Sequence, residues 1–397
     1  MPSTAPRFNL VILLLAAIVA VTPLTIDMYL PAFPAIAETL NTDIALVQVS
    51  LSTYLAGFAV SMLIFGPIAD VLGRRKMVLF GLSGFALCSI ALTYVTDIHT
   101  FWVLRALQAI AGGAAAVTIP GIIRHIYGEH TAKGMSYVSM IMMIAPLLAP
   151  ALGSMVMHWF SWWAIFAVLA LYAGALLIPA FIWLPEVETR EHKGSWFSLF
   201  FASYVEVLGN RQAQPFIATS MFASFGFFGY LTAVPVVYMQ VFGADEKLFA
   251  LLFAGNVGSL ILANLINSRI VVRIGSRAML QYSISSAMLS ALMLVVVNML
   301  ELGLFATFAA IVPLMMSLSL SAVNADALIM IAFPKHTGTA TAVIGTLRFG
   351  SGALVGPILA LAHTQSAMPF SLLMFSATVC MLLILIWAKV KKRREQG

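Results

Sequence analysis

The sequence predicts an all-α polytopic membrane protein whose twelve transmembrane helices form two six-helix pseudo-repeat halves. Three observations predict it. Hydrophobic residues fill 61% of the 397 positions and charged residues only 9%, with a mean hydropathy of +1.01. A soluble domain carries about 25% charged residues, so this chain could not clothe its own surface in water. Apolar runs close to the ~20 residues that a bilayer-spanning helix needs recur along the whole length, and the basic residues collect at alternate ends of those runs.

Runs bounded by Gly, Pro and charge place the helices at 9–37, 45–68, 77–96, 99–124, 134–158, 162–184, 214–241, 247–268, 278–298, 302–332, 338–362 and 368–388. The first run is longer than the ~7–15-residue core of a cleavable signal peptide, so it is expected to stay as the first helix. An even number of helices puts both termini on one side. All but three of the 21 Lys and Arg residues fall on that side: Lys247 lies opposite, and Arg105 and Arg348 lie within helices. By the positive-inside rule both termini are expected in the cytoplasm. Basic residues distributed this way follow the bilayer, so no nucleic-acid partner is expected.

The connection at 185–213 divides the chain into an N-terminal six-helix bundle (1–184), a linker, and a C-terminal six-helix bundle with a basic tail (214–397). Within the linker, "SWFSLFFASYVEVLGN" puts Phe197, Phe200, Phe201, Tyr204 and Leu208 on one helical face. That pattern predicts an amphipathic helix on the cytoplasmic membrane surface. The halves also echo each other. Leu30-Pro31 matches Val234-Pro235, Gly73 matches Gly275, and Ala149-Pro150 matches Gly356-Pro357 at a nearly constant spacing, as in transporters built from repeats.

Several function classes find no support. The two cysteines, Cys88 and Cys380, are far apart in apolar runs and imply neither a disulfide framework nor a metal site. There is no H-E-x-x-H, no G-x-S-x-G and no G-x-x-x-x-G-K-[ST]. The chain is therefore not expected to be an enzyme or an ATP-driven pump, and no catalytic residues, metal ligands or cofactor are assigned.

Four charges fall well inside helices: Asp27, Arg105, Asp326 and Arg348. Even on a lenient scale a charge at mid-membrane costs ~2.5–3.5 kcal/mol and marks a functional site or a buried pair. Asp27, in "TPLTIDMYLPAFP", lies in the outer half of the first helix, and Arg105 lies at a similar depth in the fourth. Burial favours the neutral form of a carboxyl and a facing guanidinium favours the charged form. The pair reads either as a proton-coupling site or as a static ion pair that fixes packing. No acid matches Asp27 in the second half, where the corresponding position is near Leu231. Asp326 and Arg348 sit at comparable depths in the inner half and form a second candidate buried pair, structural or gating in character, with a second proton site as the alternative.

The loop after the second helix, "GPIADVLGRRK", holds Gly66, Asp70, Gly73, Arg74 and Arg75. Its spacing resembles the signature of the major facilitator superfamily. The likeness extends across almost the full chain to the Bcr/CflA branch of the drug:proton antiporters. It is carried by "IDMYLPAFP", "LSTYLAGF", "RALQAIAGG", "IAPLLAPALG", "NSRIVVRIG" and "GTLRFGSGALVGP". The chain departs from the pattern at Val71, at Ala109, and at Ala149-Pro150 and Gly153-Ser154, each time keeping a small residue except at Val71. Arg348 matches the branch, whereas Asp326 stands where the branch suggests an uncharged residue.

The resemblance implies the fold of that superfamily and export of small amphipathic drugs or metabolites, phenicol-, bicyclomycin- or sulfonamide-like, in exchange for protons by alternating access. Proton-coupled uptake on the same fold is the alternative. Asp27 and Arg105 would border a central cavity and couple the proton, with the proton gradient as the energy source. Tyr29, Tyr54, Gln108, Met142, Met143, Tyr238 and Asn324 are the candidate cavity residues. The cytoplasmic loop would gate. The fifth-helix residues Pro146, Ala149, Pro150 and Gly153 would mark the exchange direction and seal leaks. The expected partners are a small-molecule substrate, protons and the lipid bilayer, and the expected setting is a bacterial inner membrane, as a monomer.

Overall fold

The protein is described by a computed structural model that covers residues 10–186, 204–205, 207–333, 337–362 and 366–396. Among the described residues no strand occurs, and twelve helices are long and apolar enough to cross a membrane. The spans are Leu10–Thr39, Ile44–Gly66, Arg74–Leu92, Ile98–Tyr127, Lys133–Trp159 and Trp163–Trp183 in the first half. Gln214–Val241, Glu246–Ile274, Ser276–Met299, Leu304–Ala332, Thr341–Ala360 and Met368–Val390 follow in the second. The chain is a multi-pass membrane protein. It folds into two compact units, Met1–Ser198 and Leu199–Gly397.

Short polar residues set the helix starts. The carboxylates of Asp43, Asp97 and Asp245 accept hydrogen bonds from the amides of Ala45 (3.2 Å), Thr100 (2.9 Å) and Leu248 (2.7 Å), which caps the second, fourth and eighth spans. Gly73 (φ 97°) and Gly275 (φ 81°) take a backbone conformation that side chains disfavour and turn the chain directly into the third and ninth spans. Asn41 (φ 48°) and Gly243 (φ 69°) precede the second and eighth spans in the same left-handed way. One spacing along the chain separates Asn41 from Gly243, Asp43 from Asp245 and Gly73 from Gly275, so the turns carry the internal repeat.

The first span is broken where its acid lies. An α-helix runs from Leu10 to Asp27, a 3₁₀ turn covers Leu30–Ala32, and a second α-helix runs from Phe33 to Thr39. Pro31 has no N–H to give to the carbonyl of Asp27, four residues back. The chain tightens instead, with the Phe33 amide bonded to the Leu30 carbonyl. In the second half, the seventh span passes Pro235 and widens into a π-helix over Val236–Val241. Both repeats therefore distort at the matched proline.

Small residues let the helices of the first unit approach closely. A Cβ on Gly57 would come within 2.4 Å of the Ala106 carbonyl oxygen, and one on Gly81 within 2.7 Å of the Ala111 carbonyl oxygen. The fourth span is thus wedged between the second and third. A Cβ on Gly153 would fall 1.9 Å from the carbonyl oxygen of Met28, so the fifth span rests directly on the break in the first.

In the second unit, Val207 and Tyr204 at the end of the linker pack on a core of Ala213, Ile217, Ile329, Phe333, Val343 and Ile344. Val207 is buried and Leu208 is exposed. Val207 faces this core, where the turn docks on the ends of the tenth and eleventh spans, and Leu208 keeps the exposed side that the amphipathic pattern assigns to the membrane surface. Phe197, Phe200 and Phe201 lie outside the described residues.

Candidate functional site

Arg105 is fully buried and is the largest of the fully buried side chains among the described residues. Its position follows from the wedge that the small residues create around the fourth span. Its Nη1 donates to Oε1 of Gln108 at 2.6 Å, and Nη2 donates to the Thr25 carbonyl at 3.4 Å. Gln108 is fixed in turn, since its Nε2 donates to the Ser89 hydroxyl at 2.8 Å. Three rings surround the guanidinium. Its central carbon lies 4.2 Å from the Tyr29 ring centroid, 4.4 Å from Tyr54 and 5.7 Å from Phe166. Such contacts contribute about 2 kcal/mol when desolvated, which helps hold a cation away from water.

Asp27 is the last residue of the first helix and is only 4% exposed. Arg105 reaches the carbonyl of Thr25, two residues away, but its partners are Gln108, that carbonyl and the rings rather than the Asp27 carboxylate. The static ion pair, one of the two readings of these residues, is not formed in this structure. Oδ1 of Asp27 and Nε of Arg105 are buried without a hydrogen-bond partner. Tyr29 lies within electrostatic reach of both Asp27 and Arg105. The first unit thus holds an acid and a guanidinium close together and separately housed. An ionised Asp27 would sit here with neither a counter-ion nor a donor on Oδ1.

Tyr29, Tyr54 and Gln108, expected as cavity residues, are fully buried and serve the guanidinium. Met142 is half-buried, and the side chain of Met143 lies outside the described residues. In the fifth span Ala149, Pro150 and Gly153 are buried and Pro146 is half-buried. Gly153 meets the chain one residue beyond Asp27, which links the fifth-span motif to the acid through backbone contact.

The loop after the second span forms a latch within the first unit. Nη1 of Arg75 pairs with Oε1 of Glu186 at 3.0 Å, Nη2 donates to the Phe181 carbonyl, and the guanidinium covers the Phe181 ring at 5.2 Å. Arg74 lies over Gly121, where a Cβ would fall 2.3 Å from its guanidinium carbon. Gly66 is half-buried, and the side chain of Asp70 lies outside the described residues.

In the second unit Tyr238 and Asn324 are buried by packing. The Tyr238 hydroxyl accepts from Asn256 at 3.5 Å, and Asn324 donates to Oδ1 of Asn267 at 2.9 Å, tying the tenth span to the eighth. Asp326 and Arg348 do pair, at 2.9 Å, but with side chains 30% and 28% exposed they are half-buried rather than buried. Ser220 donates to the other Asp326 oxygen and Ser224 accepts from Arg348 Nε, each at 2.8 Å. The sequence reading missed Phe166, Ser89, Ser220 and Ser224. The four-residue spacing of the two serines was the only signal, while Phe166 stands in the run "WAIFAVLA" with nothing to distinguish it.

Residues 15–357 match the sequence profile of the Major Facilitator Superfamily. Over 388 residues the chain is 27% identical to a bicyclomycin resistance protein homolog of Haemophilus influenzae, covering 97% of this chain and 98% of the relative. Over 396 residues it is 28% identical to a chloramphenicol resistance protein of Pseudomonas aeruginosa, covering 97% and 92%. The structure of a D-xylose-proton symporter superposes with a TM-score of 0.73 at 14% identity, over 94% of this chain and 97% of that one. A likeness at that identity is one of fold.

Proposed function

Because the chain belongs to the Major Facilitator Superfamily, we propose that it exports small amphipathic drugs in exchange for protons by alternating access. The observation that carries this reading is the housing of Asp27: a membrane acid, buried and unpaired, beside a guanidinium that is held by other groups. A carboxyl in such a place changes its charge with access to water. It stays neutral when sealed and releases its proton when water or a counter-ion reaches it. Arg105 is the counter-ion at hand. Leaving Gln108 and the rings for Asp27 would stabilise the anion, and a substrate donor group that bonds the ionised carboxylate would hold the proton off. Proton and substrate then compete for Asp27, which is what exchange requires.

The names of the relatives, bicyclomycin and chloramphenicol resistance, support export and suggest neutral, compact substrates. The distribution of Lys and Arg supports cytoplasmic termini in a bacterial inner membrane. The energy source is the proton gradient, with no bound cofactor and no covalent step.

The test is accumulation of labelled chloramphenicol in cells with and without the protein. Lower accumulation that a protonophore abolishes supports proton-driven export. Higher accumulation that the protonophore abolishes would identify uptake instead, and no difference would count against chloramphenicol as a substrate.

A further inference from the structure

The second intramembrane charge pair has no part in that exchange, and its geometry suits another task. Asp326 and Arg348 come from the tenth and eleventh spans, and both are steadied from the seventh. Ser220 donates to Asp326 Oδ1, and Ser224, which itself donates to the Ser220 carbonyl, accepts from Arg348 Nε. The Ser351 hydroxyl lies 3.3 Å from the Met221 carbonyl and ties the eleventh span to the seventh at the same level. One side of the pair is therefore fully occupied by protein.

The other side is open, with 30% of one side chain and 28% of the other exposed. Charged groups facing hydrocarbon are costly even on a lenient scale, so the open edge faces water. A guanidinium has five N–H donors, of which the Nε and one Nη1 donor are engaged here. Each carboxylate oxygen accepts more than one hydrogen bond. The open edge thus presents donors and acceptors side by side, and the two charges cancel. A ligand with net charge would leave an uncompensated charge at that depth. A neutral group that carries a donor next to an acceptor would complete both partners without breaking the pair.

We propose that Asp326 and Arg348 form a second ligand contact that takes a carboxamide or lactam, its N–H to Asp326 and its C=O to Arg348. One turn from the pair, Ile329 and Ile344 begin the apolar packing that Val207 of the linker closes. A ligand therefore approaches from the open edge. The proposal rests on the export reading only in that the amide belongs to an exported compound.

Equilibrium binding to the purified full-length protein in detergent tests it, with a neutral phenyl-substituted δ-lactam, whose ring holds N–H and C=O on one edge, and its N-methyl derivative as probes. Wild type is expected to bind the N–H lactam at least about tenfold more tightly, as loss of one hydrogen bond to a charged group implies. Replacing both charges at once, Asp326→Leu with Arg348→Leu, leaves no orphaned charge. That variant is expected to lose at least about tenfold in affinity and to lose the discrimination. Ser224→Ala, which keeps the pair but frees the guanidinium, is expected to fall between. Retained affinity and discrimination in the double variant would overturn the proposal, as would wild type binding neither probe or both equally. The export reading is judged separately, by Asp27-dependent acid release in vesicles given an amide-free, neutral apolar compound. Failure there would leave the binding result standing.

Discussion

Replacing Gly153 with alanine tests whether the fifth span rests on the break that carries Asp27. The added Cβ would lie 1.9 Å from the Met28 carbonyl oxygen, 2.8 Å from its carbonyl carbon and 3.2 Å from its Cα. Carbon atoms in contact sit about 3.5–4.0 Å apart, so the two backbones must separate by more than an ångström. No rotamer can relieve a clash between backbone atoms. Overpacking of this kind costs about 1–3 kcal/mol, occasionally more, and outweighs the ~0.5–1 kcal/mol that alanine gains over glycine within a helix. The displaced carbonyl belongs to the residue after Asp27, so the acid moves as well. Gly174→Ala is the control, since nothing lies within 4 Å of its added Cβ. In thermal unfolding of the purified protein, Gly153→Ala should melt lower than wild type and Gly174→Ala at or above it. Drug-driven acid release should fall only in the first. Wild-type stability and coupling in Gly153→Ala would refute the contact between the fifth span and the Asp27 break.

Four further outcomes follow from the same geometry. Arg105→Lys keeps the charge but loses the planar fork that reaches Gln108 and stacks on Tyr29 and Tyr54, so drug-driven acid release should fall about tenfold or more. Gln108→Leu leaves the guanidinium without its 2.6 Å acceptor and should destabilise the first unit by about 1.5–3 kcal/mol, measured as a lower unfolding midpoint. Arg75→Ala removes the anchor on Phe181 and should raise passive proton leak, while Glu186→Gln, whose side chain is 79% exposed, should change little. Asp97 is held below the usual carboxylate range by the Thr100 hydroxyl and amide. Its contribution to stability is therefore present at neutral pH and is lost as the pH falls through its folded-state value. Asp97→Asn should flatten the acid limb of the stability profile by lowering stability slightly at neutral pH, with little change at pH values where Asp97 is already protonated.

Much of the fold was legible because it depends on length and punctuation. Twelve apolar runs became twelve spans, and the turn at Gly73 and its echo at Gly275 fell where the repeat placed them. The likeness between Asp43 and Asp245 went unread, although a capping carboxylate is a local signal. Which face of each helix is buried was not legible. A span apolar all round shows no amphipathic stripe, so Phe166 could not be told from its neighbours. Four intramembrane charges were visible as exceptions, and the pairing of Asp326 with Arg348 was anticipated, but the partners of Arg105 were not. Asp326 and Arg348 paired, whereas Arg105 took Gln108 and three rings in place of Asp27. Choice of partner depends on distances between helices, and those are set by contacts such as Gly57 on Ala106 and Gly153 on Met28. Residues read as open lining, Tyr29 and Tyr54 among them, turned out to be walls around the guanidinium.

The central claim is that Asp27 carries the proton exchanged for drug. Its most direct test uses inverted membrane vesicles that hold a respiration-driven pH gradient and a fluorescent pH reporter. Chloramphenicol would be added to wild type and to Asp27→Asn, which keeps the shape but has no proton to release. The account predicts discharge of the gradient in wild type and none in the variant. Equal discharge in both would contradict it and leave Asp27 a structural residue.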